Sequence, residues 1–537
     1  MSIFSIGLSG LNAAQNALNT TSNNISNVYT PGYNRELTLL SEARPGGGVK
    51  VADVQRQFNM YVAEQLNAAN SRTGALDIYQ NQISQIDNLL ADTDSGISVM
   101  LQNFFSSLED LVSAPSDPAA RQGFPGAANT LAAQFRSFDR YLEDMDNTIG
   151  SQIKDEVGQI NNMTRQLAQL NEEVVLAKAR TGSAPNSLLN QRDKLVADLS
   201  QVLDVKLSVT QSSSYNLTIG NGQPLVAGTR SFNLEVVTSA ADPSRVTVAY
   251  RDSANNLVQL RESSIQGGSL GGLLAFRSEA LDETRGQLGR LAATIALAFN
   301  EQHAQGTDLN GDPGEDIFAI GQPRAYANDK NTGSASVSVT YDDATQLTGG
   351  DYTLRVTNAA AGEFSVQRTG GQAVAATLIG NQLTFGGVTV TVDDPLVLQD
   401  GDRFEVQTTR WAAKGMQVAI SDVSEIAAGL GPASGDNENA LAMQALQESE
   451  LVGGNATFSQ AFAAIVGEVG NRTNITQLNR EAQQSLSDQL RAVQQSESGV
   501  NLDEEAANLI RYQQYYQANA RVINTASTVL DTLLNLR

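Results

Sequence analysis

Few residues in this chain are of types and spacings able to do chemistry. Gly267-Gly268-Ser269-Leu270-Gly271 matches G-x-S-x-G, the pattern that places a serine nucleophile on a tight strand-to-helix turn. His303, the single histidine, would have to be its base. That chemistry needs a parallel sheet and a histidine far along the chain, after an acid. Here the histidine closes the very next helical segment. The pattern reads instead as a glycine-rich lead-in to a helix N-terminus, and His303 as a capping or packing residue near a helix C-terminus.

Residues 308–316, Asp308-Leu309-Asn310-Gly311-Asp312-Pro313-Gly314-Glu315-Asp316, place acids and amides at positions one, three, five and nine of a calcium loop. Position six, a required glycine, is Pro313, and position twelve, a bidentate glutamate, is Ala319. A polar turn leaving a helix is the simpler reading. No G-x-x-x-x-G-K-[ST] is present, and Gly429-Leu430-Gly431-Pro432 fails the dinucleotide pattern. Asp342-Asp343 and Asp393-Asp394 sit in turn-like contexts. With no cysteine, thiolate metal sites, disulfides and cysteine nucleophiles are excluded. We expect no catalytic residue, no cofactor and no metal: not an enzyme.

The elements that carry these residues are more informative. The chain has 537 residues, enough for three to four domains, and 58 acids against 35 bases give a formal charge of −23. Such a chain is repelled by nucleic acid. No window approaches a membrane span. The N-terminus has no basic and apolar leader, so the protein is expected to be cytoplasmic or to leave without a cleaved signal.

Residues 1–34 contain no Asp, Glu, Lys or Arg. Phe4, Leu11, Leu18 and Ile25 recur every seven residues, with Leu8 on the same face, which predicts a helix with a coiled-coil period. Pro31-Gly32-Tyr33 ends it in a turn. The far end mirrors this: Leu502, Leu509, Tyr516, Ile523 and Leu530 are again seven apart, behind an Asn501 cap and three acids. Residues 512–537 carry only two Arg and one Asp, so residues 35–511 hold 33 bases and 57 acids, a net −24. Acidity belongs to the body, and the ends have been cleared of it. An uncharged helix rich in Asn, Ser and Ala suits packing among other helices on every side. Alone it buries too little to be stable, so both ends are expected to fray in the monomer and order on assembly.

Between the ends, residues 58–201 read as long helices and 205–265 alternate with period two. Helix returns near 271–301, strands recur over 316–412, and the remainder is helical. The expected fold is α+β and multidomain, with N- and C-terminal helices packed together, coiled-coil-like, on a helical bundle with inserted antiparallel β regions. The expected domains are 1–57 with 499–537 for polymerisation, 58–315 with 413–498 as a long-helix bundle holding a β insertion at about 205–265, and 316–412 as an outer antiparallel β domain.

The terminal motifs carry a resemblance. Leu8-Ser9-Gly10-Leu11-Asn12-Ala13-Ala14-Gln15 and Thr21-Ser22-Asn23-Asn24-Ile25-Ser26-Asn27-Val28-Tyr29-Thr30-Pro31-Gly32-Tyr33 resemble the amino-terminal motif of bacterial flagellar axial proteins: rod, hook and hook-associated proteins. Ser26 and Tyr29 stand where the common motif has Ala and Asn, which leaves the turn chemistry intact. Ser498-Gly499-Val500-Asn501-Leu502-Asp503-Glu504-Glu505-Ala506-Ala507-Asn508-Leu509 and the run 512–521 resemble the matching carboxyl motif. The length, the helical segment after residue 58 and the runs 267–277, 299–303 and 306–311 resemble the hook-associated branch. The β block at 316–412 resembles nothing specific.

The resemblance implies a structural protein polymerising at the distal end of the hook, at the hook–filament junction on which the filament assembles. Its subunit contacts would use Phe4, Leu8, Leu11, Leu18, Ile25, Leu502, Leu509, Tyr516, Ile523 and Leu530. Its partners would be further copies of itself in a ring or helix, the hook protein on one side and a second junction protein on the other. A cytosolic export chaperone would hold the C-terminal segment Leu509, Tyr516, Ile523 and Leu530. Localisation would be the extracellular flagellum, reached by type III export. The alternatives are a distal rod or hook component, or a secreted serine hydrolase using Ser269.

Overall fold

The computed structural model describes residues 3–43, 47–91, 96–210, 213–220, 222–252, 254–431 and 433–535. The chain opens with α1 (Ile3–Ser26), a hairpin of β1 (Glu36–Glu42) and β2 (Val49–Arg56), then α2 (Met60–Leu90), α3 (Ile97–Ser113), α4 (Pro118–Thr181) and α5 (Asn186–Val202). At 64 residues, α4 runs to about 95 Å and is the spine of the body. Asp117 caps its start, accepting from the Ala119 amide at 3.0 Å, and Pro118 follows where no amide partner is needed. Gly182, at φ 80°, ends it in the left-handed region. Its inward face is a stripe at helical spacing that includes Phe124, Leu131, Phe135, Leu142, Ile149 and Ile160, all fully buried.

A first β insertion follows. β3 (Val205–Val209), β4 (Tyr215–Ile219), β5 (Pro224–Ala227) and β6 (Arg230–Ser231) form one antiparallel sheet, and β7 (Leu234–Thr238), β8 (Val246–Arg251) and β9 (Leu257–Gln259) a second. The chain returns to the bundle through α6 (Gly268–Phe276), a π-helical turn over Arg277–Leu281, and α7 (Asp282–His303).

The outer unit stands on a two-stranded base, β10 (Phe318–Ala319) paired with the late strand over Gln417–Val418. Above it lie β11 (Arg324–Ala327), β12 (Val337–Tyr341), β13 (Tyr352–Asn358), β14 (Glu363–Arg368), β15 (Ala373–Thr377), β16 (Gln382–Phe385), β17 (Val388–Val392) and β18 (Arg403–Gln407); the base strand is β19. Five strands in the order β11-β18-β13-β14-β15 face three in the order β12-β17-β16. Alternate residues point inward, among them Leu354, Val356, Phe364, Phe404, Val388 and Val390, as period-two patterning requires. The chain then passes α8 (Ala412–Gly415) and α9 (Glu438–Ala445) into α10 (Phe458–Ser498) and α11 (Leu502–Asn535).

Two buried clusters join these parts. Phe104, Phe105, Phe124, Phe299, Phe318 and Phe458 bring α3, α4, α7, β10 and α10 together, with ring centroids 5.0 to 6.5 Å apart. Truncating one such ring costs roughly 3–5 kcal/mol. The second cluster is ionic, where the first β insertion, α7 and the outer unit meet. Arg410 reaches Asp351 at 2.5 Å and Asp282 at 3.3 Å, and Arg245 contacts Asp282 and Asp242. Burial opposes charge on Asp282, but Arg245 and Arg410 hold its carboxyl down at about 2. Asp351 lacks that surplus, and burial pushes it up.

The hairpin of β1 and β2 has no counterpart in the sequence reading above. Its alternation is short and its outer positions include Leu39 and Leu40, both exposed.

Candidate functional site: the paired chain ends

The first and last helices run antiparallel against each other. Gly7 lies opposite Ile523, Gly10 opposite Asn519, and Asn24 opposite Glu505. Along α1 the buried residues are Gly7, Gly10, Ala13, Ala14, Ala17, Thr20, Thr21 and Asn24. Gly7, Gly10, Ala14, Ala17, Thr21 and Asn24 alternate three and four apart, a heptad seam of small side chains that lets the two backbones approach. A Cβ on Gly7 would stand 2.8 Å from Ile523 Cγ1, and one on Gly10 would overlap the Asn519 amide.

The predicted apolar stripe sits one residue further along, and so about 100° around the helix. Phe4 and Leu8 are 49 % and 45 % exposed, and Leu11, Leu18 and Ile25 are half-buried. On α11, Leu502, Tyr516 and Leu530 are exposed, whereas Leu509 and Ile523 are half-buried. Because Ile523 lies against Gly7 of its own chain, part of the α11 stripe is already engaged within the monomer. The hairpin covers another side of α1: Thr38 donates to Thr20 at 2.9 Å and the Val49 amide to Ser9 at 3.2 Å.

At the inner end of the pair, the turn and the two helices are tied in one knot. Pro31 and Gly32, the latter at φ 80°, occupy the centre of a turn closed by the Tyr33 amide donating to the Thr30 carbonyl at 3.1 Å. That turn aims the Tyr33 hydroxyl at Asn24 Oδ1, to which it donates at 2.8 Å. Asn24 Oδ1 also accepts from the Glu36 amide, while its Nδ2 donates to the Glu36 carbonyl at 2.9 Å and to Glu505 Oε2 at 3.1 Å. Glu505 Oε1 accepts from Arg35 Nε at 2.7 Å, and Arg35 Nη1 pairs with Glu504. Burial, then Glu36 and Glu505, push the Tyr33 phenol far above its ordinary range, so it stays a donor.

A second tie docks the hairpin on the body. Asn34 donates to Asn190 at 2.8 Å, and Arg56 pairs with Asp193 at 2.5 Å. Beside the turn lies a cavity of about 480 Å³, whose lining includes Tyr29, Pro31, Phe58, Met60, Arg491 and Val500.

Asn24, Arg35 and Glu505 escape a search for catalytic or apolar patterns. Arg35 gives one signal: it is the first charge after 34 uncharged residues. Glu505 reads in sequence as a helix-dipole acid, yet it is 1 % exposed.

Most of the residues suspected of chemistry are bonded to backbone groups. The segment before Gly267 is a single turn of 3₁₀ helix, Glu262–Ser264, where the sequence allowed a strand; Ser269 faces the Glu156 carboxyl. His303 is fully buried at the far end of α7: its Nδ1 donates to the Glu315 carbonyl at 2.5 Å, and its Nε2 accepts from the Ala427 amide at 2.8 Å. Burial lowers its pKa and keeps the ring neutral. Asp308 Oδ1 is taken by the Asn310 and Asp312 amides, both at 2.8 Å. Among the described residues no three His, Cys, Asp or Glu are grouped so as to hold a metal. Asp343 and Asp394 cap short 3₁₀ turns. No described helix is long and apolar enough to cross a membrane.

Comparison with known proteins agrees over the full length. Residues 83–318 match the family described as the flagellar hook-associated protein FlgK helical domain. Residues 4–34 match the flagella basal body rod protein family, and 494–536 the flagellar basal body rod FlgEFG protein C-terminal family. The chain is 42% identical over 556 aligned residues to flagellar hook-associated protein 1 of Salmonella typhimurium, covering 100% of both. It is 40% identical over 550 residues to flagellar hook-associated protein 1 of Escherichia coli, again covering 100% of both. The solved structure of the flagellar hook junction protein FlgK from Burkholderia pseudomallei superposes with a TM-score of 0.75 at 29% identity, covering 81% of this chain and 100% of that one.

Proposed function

The chain belongs to the flagellar hook-associated protein 1 family, hook–filament junction proteins of the bacterial flagellum, and from that premise we propose how its paired ends do the work. It is a structural component of the flagellum, and its copies polymerise at the distal end of the hook. The observation that carries the reading is the geometry of α1 on α11: a small-residue seam joins the helices of one chain and leaves Phe4, Leu8, Leu502, Tyr516 and Leu530 exposed. Exposed apolar side chains on α1, which carries no charge, and on α11, whose only charges after Arg511 are Arg521 and Asp531, are covered at least cost by the same helices of adjacent subunits. The contact is heterologous, so it repeats around a ring or helix. Hook protein then lies on one side and a second junction protein on the other.

In this reading residues 1–57 and 499–537 polymerise, 58–315 and 413–498 form the shell around them, and 316–412 projects outward. No residue acts as a catalyst. The chain leaves the cytoplasm unfolded, without a cleaved signal, and its freedom from cysteine means that no disulfide obstructs the route. Before export, Leu509, Tyr516, Ile523 and Leu530 make an amphipathic helix suited to the groove of a cytosolic chaperone.

The test is deletion of the gene in the parent bacterium, followed by complementation. Deletion is expected to leave hooks without filaments and filament subunits shed into the medium. Wild-type chain restores filaments and the Phe4→Asp, Leu8→Asp double variant does not. Intact filaments in the deletion strain refute the reading.

A further inference from the structure

Helix α5 stands between the amino-terminal hairpin and the first β insertion, and its polar side chains reach both. Asn186, Asn190 and Asp193 are four and three apart, so they share one face of about 60° of arc. That face meets the hairpin. Asn186 donates to the Val54 carbonyl at 2.8 Å, and Asn190 Oδ1 accepts from Asn34 at 2.8 Å and from Arg56 Nη1 at 3.1 Å. Arg56 Nη1 also reaches Asp193 Oδ2 at 2.5 Å. Arg192, one residue back and so about 100° around the helix, turns to the sheet instead. Its guanidinium lies 3.5 Å from the centre of the Tyr215 ring and donates to the Ser213 carbonyl at 2.7 Å.

The two faces meet in one carboxylate. Asp193 Oδ1 accepts the Tyr215 hydroxyl at 2.5 Å, while Oδ2 holds Arg56. Burial, then Asp193, push the Tyr215 phenol up to about 12, so it stays a donor. Tyr215 opens β4 and is fixed from the other side as well: Asn171 of α4 accepts from its amide at 3.0 Å and donates to its carbonyl at 2.8 Å. Asn34, Asn190, Arg192, Tyr215 and Asn171 are all buried, and the Asp193 side chain is 13 % exposed. A polar line thus runs from Asn34, beside the Pro31-Gly32-Tyr33 turn, to the first β sheet.

A carboxylate so enclosed is tolerated because a cation is bonded to it. If the hairpin lifts, Arg56 leaves with it and water must take its place at Oδ2. Water then competes with the Tyr215 hydroxyl for the same group, and the opening reaches the start of β4. The reverse holds equally, because a coupling free energy is reciprocal.

We propose that Asp193 couples the seating of the hairpin to order in the first β sheet, so that the body registers whether the amino-terminal end is docked. Ordering of the terminal helices on assembly, as read above, steadies the hairpin through Thr20 and Thr38 and so tightens the body by this route. The coupling itself belongs to the single chain and can fail without touching the assembly reading.

The test is hydrogen exchange on the full chain in dilute solution. Arg56→Gln removes the cation, and Tyr215→Phe removes only the hydroxyl while keeping the ring under Arg192. Arg56→Gln is expected to speed exchange at least fivefold in residues 205–219 as well as in 49–56. Tyr215→Phe is expected to do the same in 49–56 as well as in 205–219. Residues 121–142, which end about 44 Å along α4 from Asn171, should keep wild-type rates in both. In an Asp193→Asn background the shared charge is gone, and adding Arg56→Gln should change exchange in 205–219 by less than twofold. Wild-type exchange in 205–219 of Arg56→Gln, whether or not the hairpin loosens, overturns the proposal. So does an Arg56→Gln effect undiminished by Asp193→Asn. Should Arg56→Gln also lose protection in 121–142, Tyr215→Phe decides alone: unchanged exchange in 49–56 overturns the proposal, and faster exchange there upholds it.

Discussion

Asn24 and Glu505 stand 481 residues apart in sequence and 3.1 Å apart in space, and their hydrogen bond joins the amino-terminal motif to the carboxyl-terminal one. Both are 1 % exposed. Asn24 also receives the Tyr33 hydroxyl, and Glu505 receives Arg35. Removing either leaves buried groups without partners, a cost of about 1–3 kcal/mol per group. Asn24→Ala is expected to loosen both helices at once, because one side chain serves the turn, the hairpin and α11. Hydrogen exchange is the measurement: amides of α1 and α11 should lose protection at least tenfold while those of α4 keep theirs. Unchanged exchange in α11 would show that the knot does not couple the ends.

Gly10 makes a separate prediction about the seam. The nearest atoms to a Cβ there belong to the Asn519 side-chain amide, which can rotate away at the cost of its bond to the Tyr515 carbonyl. Gly10→Ala should therefore assemble at a reduced level. Gly10→Leu forces the backbones apart and should abolish filament growth, with the melting temperature of the body within a degree or two of wild type. Normal filaments from Gly10→Leu would mean that the two helices separate on assembly.

Much of the architecture was legible because it follows from periodicity. The stripe of α4, the alternation of β13 and β17, and the charge-free first 34 residues are patterns of single segments, and each predicts its own element. What stayed hidden depends on pairs of segments. The small residues Gly7, Gly10, Ala14 and Ala17 look featureless until α11 is laid on them, and the large neighbours Phe4, Leu8 and Leu11 draw attention away. Glu505 reads as a helix-start acid, and nothing local announces that Asn24 and Arg35 will meet it. The ionic cluster was equally hidden, since Asp242, Asp282, Asp351, Arg245 and Arg410 come from four distant stretches. His303, read in sequence as a capping or packing residue near a helix end, is buried there with both ring nitrogens bonded to backbone groups.

That use of His303 predicts its mutational behaviour. His303→Ala leaves the Glu315 carbonyl and the Ala427 amide unpaired and should cost roughly 2–4 kcal/mol in unfolding free energy. Its pH signature has a definite sign. Burial sets the folded pKa below the ordinary value near 6.5, so the unfolded chain takes up the proton first and stability falls as pH drops below about 6.5. Ser269→Ala, in contrast, loses one partner of Glu156 and should change stability by about 1 kcal/mol or less. Ester turnover by the wild-type chain that vanishes in Ser269→Ala would restore the hydrolase alternative.

The outer unit should titrate in the opposite direction. Burial, then the nearby Asp351 carboxylate, raise Glu405 to about 7, against 4.5 for the free side chain. Thr353 donates to it at 3.0 Å, which offsets only part of that rise. Between about pH 4.5 and 7 the folded chain therefore holds a proton that the unfolded chain has released. The stability this supplies is present in full below 4.5 and lost as pH rises through 7. Glu405→Gln keeps a neutral group of the same shape, so its stability should not share that decline. Relative to the variant, the wild type is expected to lose on the order of 2 kcal/mol between pH 5 and 8.5. Taking the difference between the two proteins cancels the contribution of His303. Trp411, the only tryptophan, donates to Gln407 at 2.8 Å and adjoins Arg410 in the ionic cluster, so its emission reports unfolding of this unit directly. Parallel melting curves for wild type and Glu405→Gln at every pH would show that Glu405 is ionised in the folded chain and that the cluster tolerates its charge.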